Sequence, residues 1–406
     1  MSKLEQLINE LCPEGVEYRR LENCCEILDN KRKPVTKSAR EAGKYPYYGA
    51  NGIQDYVSNY IFDGAFVLVG EDGSVVTEIG TPIVTWATGK IWVNNHAHII
   101  SEINGVLLRY LFHYLQTVPV KHLIHGNIPK LTGGDFRALK IALPPLPVQE
   151  EIVRILDKFM ELTAELTAEL TARQKQYSFY RDYLLDFADE DITKKIPDID
   201  CSNVEYKKLG DIADITRGGK FQKKDFVEQG KPCIHYGQIY TRLGITTQEP
   251  ITYLNNDVYN KSKKAVPNDI VMAVTSENVE DVCKCTVWVG NEDIAVSGHT
   301  AIIHPIINSK FLAYYFQTTM FFKQKRKFAH GTKVIEVTPD KLNNIIIPVP
   351  PISVQENIVK ILDRFDKLNN DISEGLPAEI EARRKQYEYY RDKLLTFKKK
   401  EIAENE

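Results

Sequence analysis

The chain is written twice, and that duplication constrains its fold more than any other feature. Val16-Glu17-Tyr18-Arg19-Arg20-Leu21 returns 188 residues later as Val204-Glu205-Tyr206-Lys207-Lys208-Leu209. PPLPVQEEIVRILDKF (144–159) returns at an offset of 206 as PPISVQENIVKILDRF (350–365). ARQKQYSFYRDYLLDF (172–187) returns at 210 as ARRKQYEYYRDKLLTF (382–397). Shorter echoes join Tyr48-Gly49 to Tyr236-Gly237, and His125-Gly126 to His330-Gly331. Most of the offset is gained between the first block and the proline block, so the halves differ in their middles. Each half is therefore a variable body followed by a closely repeated tail, and the chain is two related units.

The tails read as long helices. Pro144-Pro145 and Pro350-Pro351 stop whatever precedes them. Beyond them Ile152, Ile155, Leu156, Phe159 and Leu162 share one helical face, as do Ile358, Ile361, Leu362, Phe365, Leu368 and Ile372. The spacing predicts helices over 148–187 and 354–397, the second kinked or broken at Gly375-Leu376-Pro377. At about 1.5 Å per residue such helices outrun an ordinary core. Their stripes either pair with each other as a coiled coil or pack on their own bodies. Within the first helix ELTA occurs three times, at 161–164, 165–168 and 169–172. The bodies read as mixed α/β, with strands at 65–69, 82–86, 270–274 and 287–289 and helices at 103–117 and 308–322.

Catalytic signatures are missing. There is no phosphate loop, dinucleotide fingerprint, nucleophile elbow, HExxH or amino-methyltransferase signature. A nuclease reading of Asp198, Glu205 and Lys207 fails because the spacing is too short for carboxylates on separate strands to share a metal; the first half also has Arg19 where the second has Lys207. His96 with His98, and Cys283 with Cys285, could share a strand face, but further ligands are not evident. The expectation is no metal and no catalytic site. Seven cysteines without a CxxC pair suit a reducing compartment, and neither a secretory signal nor an apolar run of membrane length is present, so a cytoplasmic location is expected.

A net charge of −3 argues against a polyanion partner until it is divided by segment. Residues 1–147 are neutral, 201–352 carry +4, the two helices −3 and −1, and the linker 188–200 another −3. Within the bodies the cations cluster. Lys31, Arg32, Lys33, Lys37, Arg40 and Lys44 precede Tyr45, Tyr47 and Tyr48. Arg217, Lys220, Lys223 and Lys224 precede His235-Tyr236-Gly237-Gln238, and Lys323, Lys325, Arg326 and Lys327 precede His330-Gly331-Thr332-Lys333. Cations neutralise phosphates while Asn and Gln read base edges. The alternative is solvated loops rich in turn residues; recurrence in both halves favours binding. Candidate DNA contacts are Tyr47, Tyr48, Asn51, Asn127 and Lys130 in the first body, and Tyr236, Gln238, Tyr240, Thr332 and Lys333 in the second.

The paired LPPLPVQEEIVRILDKF and VPPISVQENIVKILDRF blocks, with QYSFYRDYLLDF and QYEYYRDKLLTF, resemble the specificity subunit of type I restriction-modification systems over nearly the whole chain. The ELTA tandem looks like the spacer repeat of one subgroup. The resemblance implies an α+β fold with two α/β target recognition domains, 1–147 and 201–352. Two long antiparallel helices, 148–187 and 353–397, would separate them as a coiled coil, with a linker at 188–200 and a tail at 398–406. It implies a non-catalytic chain that reads a bipartite asymmetric site in double-stranded DNA. Two modification subunits would bind S-adenosylmethionine and methylate adenines, and restriction subunits would use ATP and Mg. A duplicated DNA-binding regulator without enzyme partners is the rival reading.

Overall fold

The computed structural model describes residues 2–73, 75–188, 203–370 and 375–400. The expected linker beyond Ala188, residues 371–374 before the expected break, Cys201 and the last six residues lie outside these. The chain forms two compact units: Met1–Leu166 with Ile380–Glu406, and Thr167–Glu379. The boundary in the first long helix falls inside the ELTA tandem. Each unit therefore holds one body, the start of one long helix and the end of the other.

In the first unit a six-stranded sheet runs in the order Glu26–Ile27, Ala97–Ser101, Phe62–Gly70, Val84–Val93, Ala42–Gly49, Gly52–Val57. Its central hairpin aligns Phe62 with Ile91 and Val69 with Val84, longer than the apolar runs alone indicate. Phe66-Val67-Leu68-Val69 is continuously apolar because both faces are covered. Val67 and Val69 enter the core beside the helix Leu108–Leu115, while Phe66 and Leu68 join Ala87, Ile91 and Ile99 on the other side. In the second unit two five-stranded sheets replace the single one. Ile270–Ala273 is likewise buried on both faces, Ile270 and Met272 facing one cluster, Val271 and Ala273 the other. The expected helix at 308–322 is two helices, Ser309–Tyr315 and Thr319–Phe328, because Thr318 caps the second through its hydroxyl. The bodies differ where the offset between repeats grows.

The repeated blocks have the same structural job in both units. Glu17–Arg20 pairs antiparallel with Lys140–Leu143, and Glu205–Lys208 pairs with Ile346–Val349, each ribbon closing a body just before its proline pair. The glutamine of the VQE block is buried at the root of each long helix. Gln149 accepts from the Leu107 amide (3.0 Å) and donates to the Pro144 carbonyl (2.8 Å). Gln355 accepts from the Asn308 amide (3.0 Å) and donates to the Pro350 carbonyl (2.7 Å). An aliphatic replacement leaves these buried backbone groups unpaired, at about 1–3 kcal/mol each. We expect Gln149→Leu to lower the unfolding transition of the first unit by roughly 5–10 °C, at a few degrees per kcal/mol for a unit of this size. Calorimetry reads this directly, and a transition within one degree of the parent's would refute the anchor.

The first long helix spans Leu146–Leu185 without a break. The second tail is two helices, Ile352–Asn370 and Leu376–Leu394, with Pro377 in the first turn of the latter, where its missing N–H costs nothing. In each unit the start of one long helix packs with the end of the other as well as on its body, so both partners foreseen for the apolar stripes are used. In the first unit Phe159 stacks on Tyr390 at 5.2 Å, and in the second Tyr180 stacks on Phe365 at 5.7 Å. The Asp of the repeated ILD also returns to its body. Asp157 accepts from Arg109 and His113, and Asp363 from Lys310 and Tyr314, all at 2.8–2.9 Å. Burial drives the His113 pKa down, so its ring is neutral at pH 7; it then donates to Asp157 and accepts from the Tyr387 hydroxyl (2.9 Å). No helix among the described residues is long and apolar enough to cross a membrane.

Candidate DNA interface

In the first body the cations before the tyrosine run divide by role. Lys31, Lys33, Lys37 and Lys44 are exposed. Arg32 is turned inward, donating to Glu71 (2.6 Å) and to the carbonyls of Ala97 (2.6 Å) and Asp29 (2.9 Å). Arg40 lies over the Tyr47 ring, 4.2 Å from its centre, and pairs with Asp55. Tyr47 is buried, its hydroxyl bound to the amide and carbonyl of Val35 (3.0 and 3.2 Å), so it clamps the 32–40 loop. Tyr48 is buried beside Phe62 and Phe66, and burial pushes its phenol pKa up. Asn51 stands exposed on the turn between Ala42–Gly49 and Gly52–Val57.

Asn127 and Lys130 sit on a second turn, closed by the pairing of His125 with Lys130. The segment Gly70–Gly73 joins the two turns. A Cβ on Gly70 would lie 3.1 Å from the Ala50 carbonyl, and the Gly73 amide donates to the Pro129 carbonyl (3.0 Å). Asn51, Asn127 and Lys130 therefore share one edge of the body. Lys130 also pairs with Glu71 (3.1 Å) and keeps about half its side chain exposed (46%).

Under this edge lies a charged cluster. Asp29, Glu71 and His98 bring ligand atoms within 4.8 Å of one another. Both His98 nitrogens are engaged, Nδ1 with Asp29 (2.7 Å) and Nε2 with the Leu131 carbonyl (3.1 Å), and its ring stacks on Phe136. Burial pushes Asp29 and Glu71 up most strongly, but bonds and charges acting together, from His98, the Ile99 amide and Arg32 on Asp29 and from Arg32, His98 and Lys130 on Glu71, hold both carboxyls below their ordinary values. The cluster is neutralised by the chain's own cations and braces the loops above it. His96 turns away to Asp72, so the His96/His98 pair does not converge on one ligand position. Cys283 is buried, its thiol pushed up to about 12 by desolvation, and the sole metal-capable cluster among the described residues excludes it.

The second body builds its edge from a helix and a loop. His235 caps the helix Tyr236–Thr241, and Gln238 returns its carbonyl oxygen to the His235 amide (2.9 Å) while donating to Thr252 (3.0 Å). Tyr240 donates to the Thr275 carbonyl (2.7 Å), and Tyr236 packs against His299. Thr275 pairs in turn with Glu336, which closes the loop from His330. Thr332 and Lys333 are exposed on that loop. Tyr236 and Tyr240 thus stand beside the loop, with Gln238 and Tyr240 already bonded inside the protein. Residue chemistry alone overlooked Gln54 and Tyr56, exposed on the strand after Asn51, and Ile128 and Val334 on the two closed turns. For the first two, strand alternation past Gly52 was the available signal.

A family model for the type I restriction modification DNA specificity domain matches this chain twice, over residues 13–173 and 201–382. The chain belongs to this family. A putative type I restriction enzyme specificity subunit of Haemophilus influenzae is 34% identical, over 94% of this chain and 96% of that one. The EcoR124I/EcoR124II specificity subunit of Escherichia coli is 36% identical over 74% of each. The crystal structure of an S subunit from M. genitalium shares the fold, with a TM-score of 0.54 at 15% identity over 94% of this chain and 96% of that one. The protein is thus a specificity subunit, a non-catalytic part of a type I restriction-modification system, with mixed α+β architecture and its long helices in contact.

Proposed function

We propose that the two bodies, residues 1–147 and 201–352, each read one half of a bipartite, asymmetric site in double-stranded DNA. The observation that carries this is a repeated frame around unlike bodies. The ribbons, buried glutamines and ILD aspartates recur, while one body has a six-stranded sheet and the other has two five-stranded sheets. A shared frame suits a shared assembly, and unlike edges suit unlike half-sites. Asn51, Asn127, Lys130, Thr332 and Lys333 are exposed, which supports them as groups that meet DNA. Tyr236 and Tyr240 line the second edge, Gln238 supports them, and Tyr47 and Tyr48 hold the first edge in shape.

The long helices, 148–187 and 353–397, serve as an antiparallel coiled-coil spacer on which two modification subunits dock, with 188–200 as linker and 398–406 as tail. Those subunits supply S-adenosylmethionine chemistry at adenine, restriction subunits supply ATP- and Mg-dependent work, and the assembly acts in the cytoplasm. Expressing the chain with its modification subunits and sequencing the methylated positions in the host genome tests this. The expected result is one motif of two unlike halves at a fixed gap. A continuous or palindromic motif would overturn the reading.

A further inference from the structure

The two closed turns carry the same unexplained feature. Ile128 is 69% exposed and Val334 58% exposed, each second from the residue that closes its turn, Lys130 and Glu336. A lone exposed aliphatic side chain is ordinary. The same side-chain class on the same turn of two otherwise unlike bodies calls for a shared reason. Both turns are closed by backbone pairing and enter through a glycine in the left-handed region. Gly126 and Gly331 have φ of 90° and 112°, and a Cβ on Gly331 would collide with the Val334 carbonyl oxygen. The turns end on the fully buried Leu131 and Val337. Each aliphatic tip thus stands exposed on a turn closed by backbone pairing.

Charge identifies the occupant. No acidic residue lies between Val118 and Gly134, where Lys121, His122, His125 and Lys130 are exposed. None lies between Thr318 and Ile335, where Lys323, Arg326, Lys327, His330 and Lys333 are exposed. An apolar tip on a segment with exposed cations and no acid suits a polyanion with an apolar interior, though Lys130 is shared with Glu71 and Glu336 closes the second turn. Stacked bases behind phosphates are such a target, and aliphatic wedges between base steps unstack and kink duplexes. We propose that Ile128 and Val334 are paired wedges, each entering one base step of its own half-site. This rests on the DNA-reading function above and adds a distortion at each half-site. Flexible pyrimidine–purine steps are the steps that admit such a wedge most easily.

The test uses the complex with its modification subunits and a duplex carrying the sequenced motif, with 2-aminopurine placed in turn at each step. The wild-type complex should raise fluorescence several-fold at one step per half-site, apart from the adenine that is methylated. Ile128→Ala should abolish the rise in one half-site only and Val334→Ala in the other only. Each should weaken binding about tenfold, for the loss of one buried aliphatic side chain. Ile128→Leu should keep the signal, and all variants should melt with the parent. Binding without an unstacked step, or signals unchanged in both alanine variants, overturns the wedges while leaving the DNA reading intact. Loss of the modification subunits from the alanine variants also overturns them, because the tips would then be protein contacts. If the wild-type complex shows no motif-dependent binding, the DNA reading itself falls.

Discussion

Removing one ELTA unit, residues 165–168, changes the gap between the two half-sites by about one to two base pairs and leaves both half-sites as they were. Four helical residues rise about 6 Å and turn about 40° past a full revolution. At about 3.4 Å per base pair along each strand, the rise sets the change in gap. The small residual turn keeps the flanking helical faces near their original directions. Methylation at the original motif falls by at least about 100-fold, because a misplaced body forfeits several base contacts at about 1–3 kcal/mol each. Deleting two residues instead turns the distal helix by about 200°. Tyr177 and Leu184 hold that helix in the second unit's core, so the whole second body would turn with it. That variant should lose assembly, not change its gap. Methylome sequencing of both deletions checks the pair; an unchanged gap in the four-residue deletion sinks the spacer role.

Replacing residues 1–147 with the body of another specificity subunit changes one half of the motif completely and leaves the other half and the gap untouched. The frame makes the exchange feasible. The ribbon Glu17–Arg20 with Lys140–Leu143 lies inside the replaced segment, and Gln149 and Asp157 remain on the helix to receive the new body. A donor must keep the partners of those two residues: a backbone amide at the position of Leu107, and cationic or hydroxyl donors at those of Arg109 and His113. Sequencing the methylated motif of the chimaera decides the matter, and a change in both halves would rule out separate reading. The same chimaera assigns each wedge signal to its half-site.

Much of this was legible in the residues because repetition exposes constraint. The VQE glutamine, the ILD aspartate and the valine-led ribbon recur, and each is buried or paired in both units. The helices were legible from their apolar stripes, and the interruption near Pro377 from a proline with no counterpart in the first half. The site was less legible. Tyr47, Arg32, Gln238 and Tyr240 have the chemistry of DNA contacts, yet their polar atoms are bound inside the protein. Composition cannot tell a cation facing phosphate from one facing Glu71, because local sequence does not reveal which carboxylate the fold brings near. Ile128 and Val334 had no signal at all, since one aliphatic residue in a loop is as often buried as exposed.

By itself, then, the sequence determined the duplication, the long helices, the absence of the searched catalytic motifs and the family. These depend on periodicity and on recurrence, which can be read along the chain without knowing which residues meet in space. The tertiary structure alone decided that each unit joins the start of one long helix to the end of the other. It also decided that the bodies carry different sheets, and which polar groups remain exposed at their edges. Those outcomes depend on contacts between residues far apart in the chain, such as Arg32 with Glu71 and His113 with Tyr387, and only folding sets such distances.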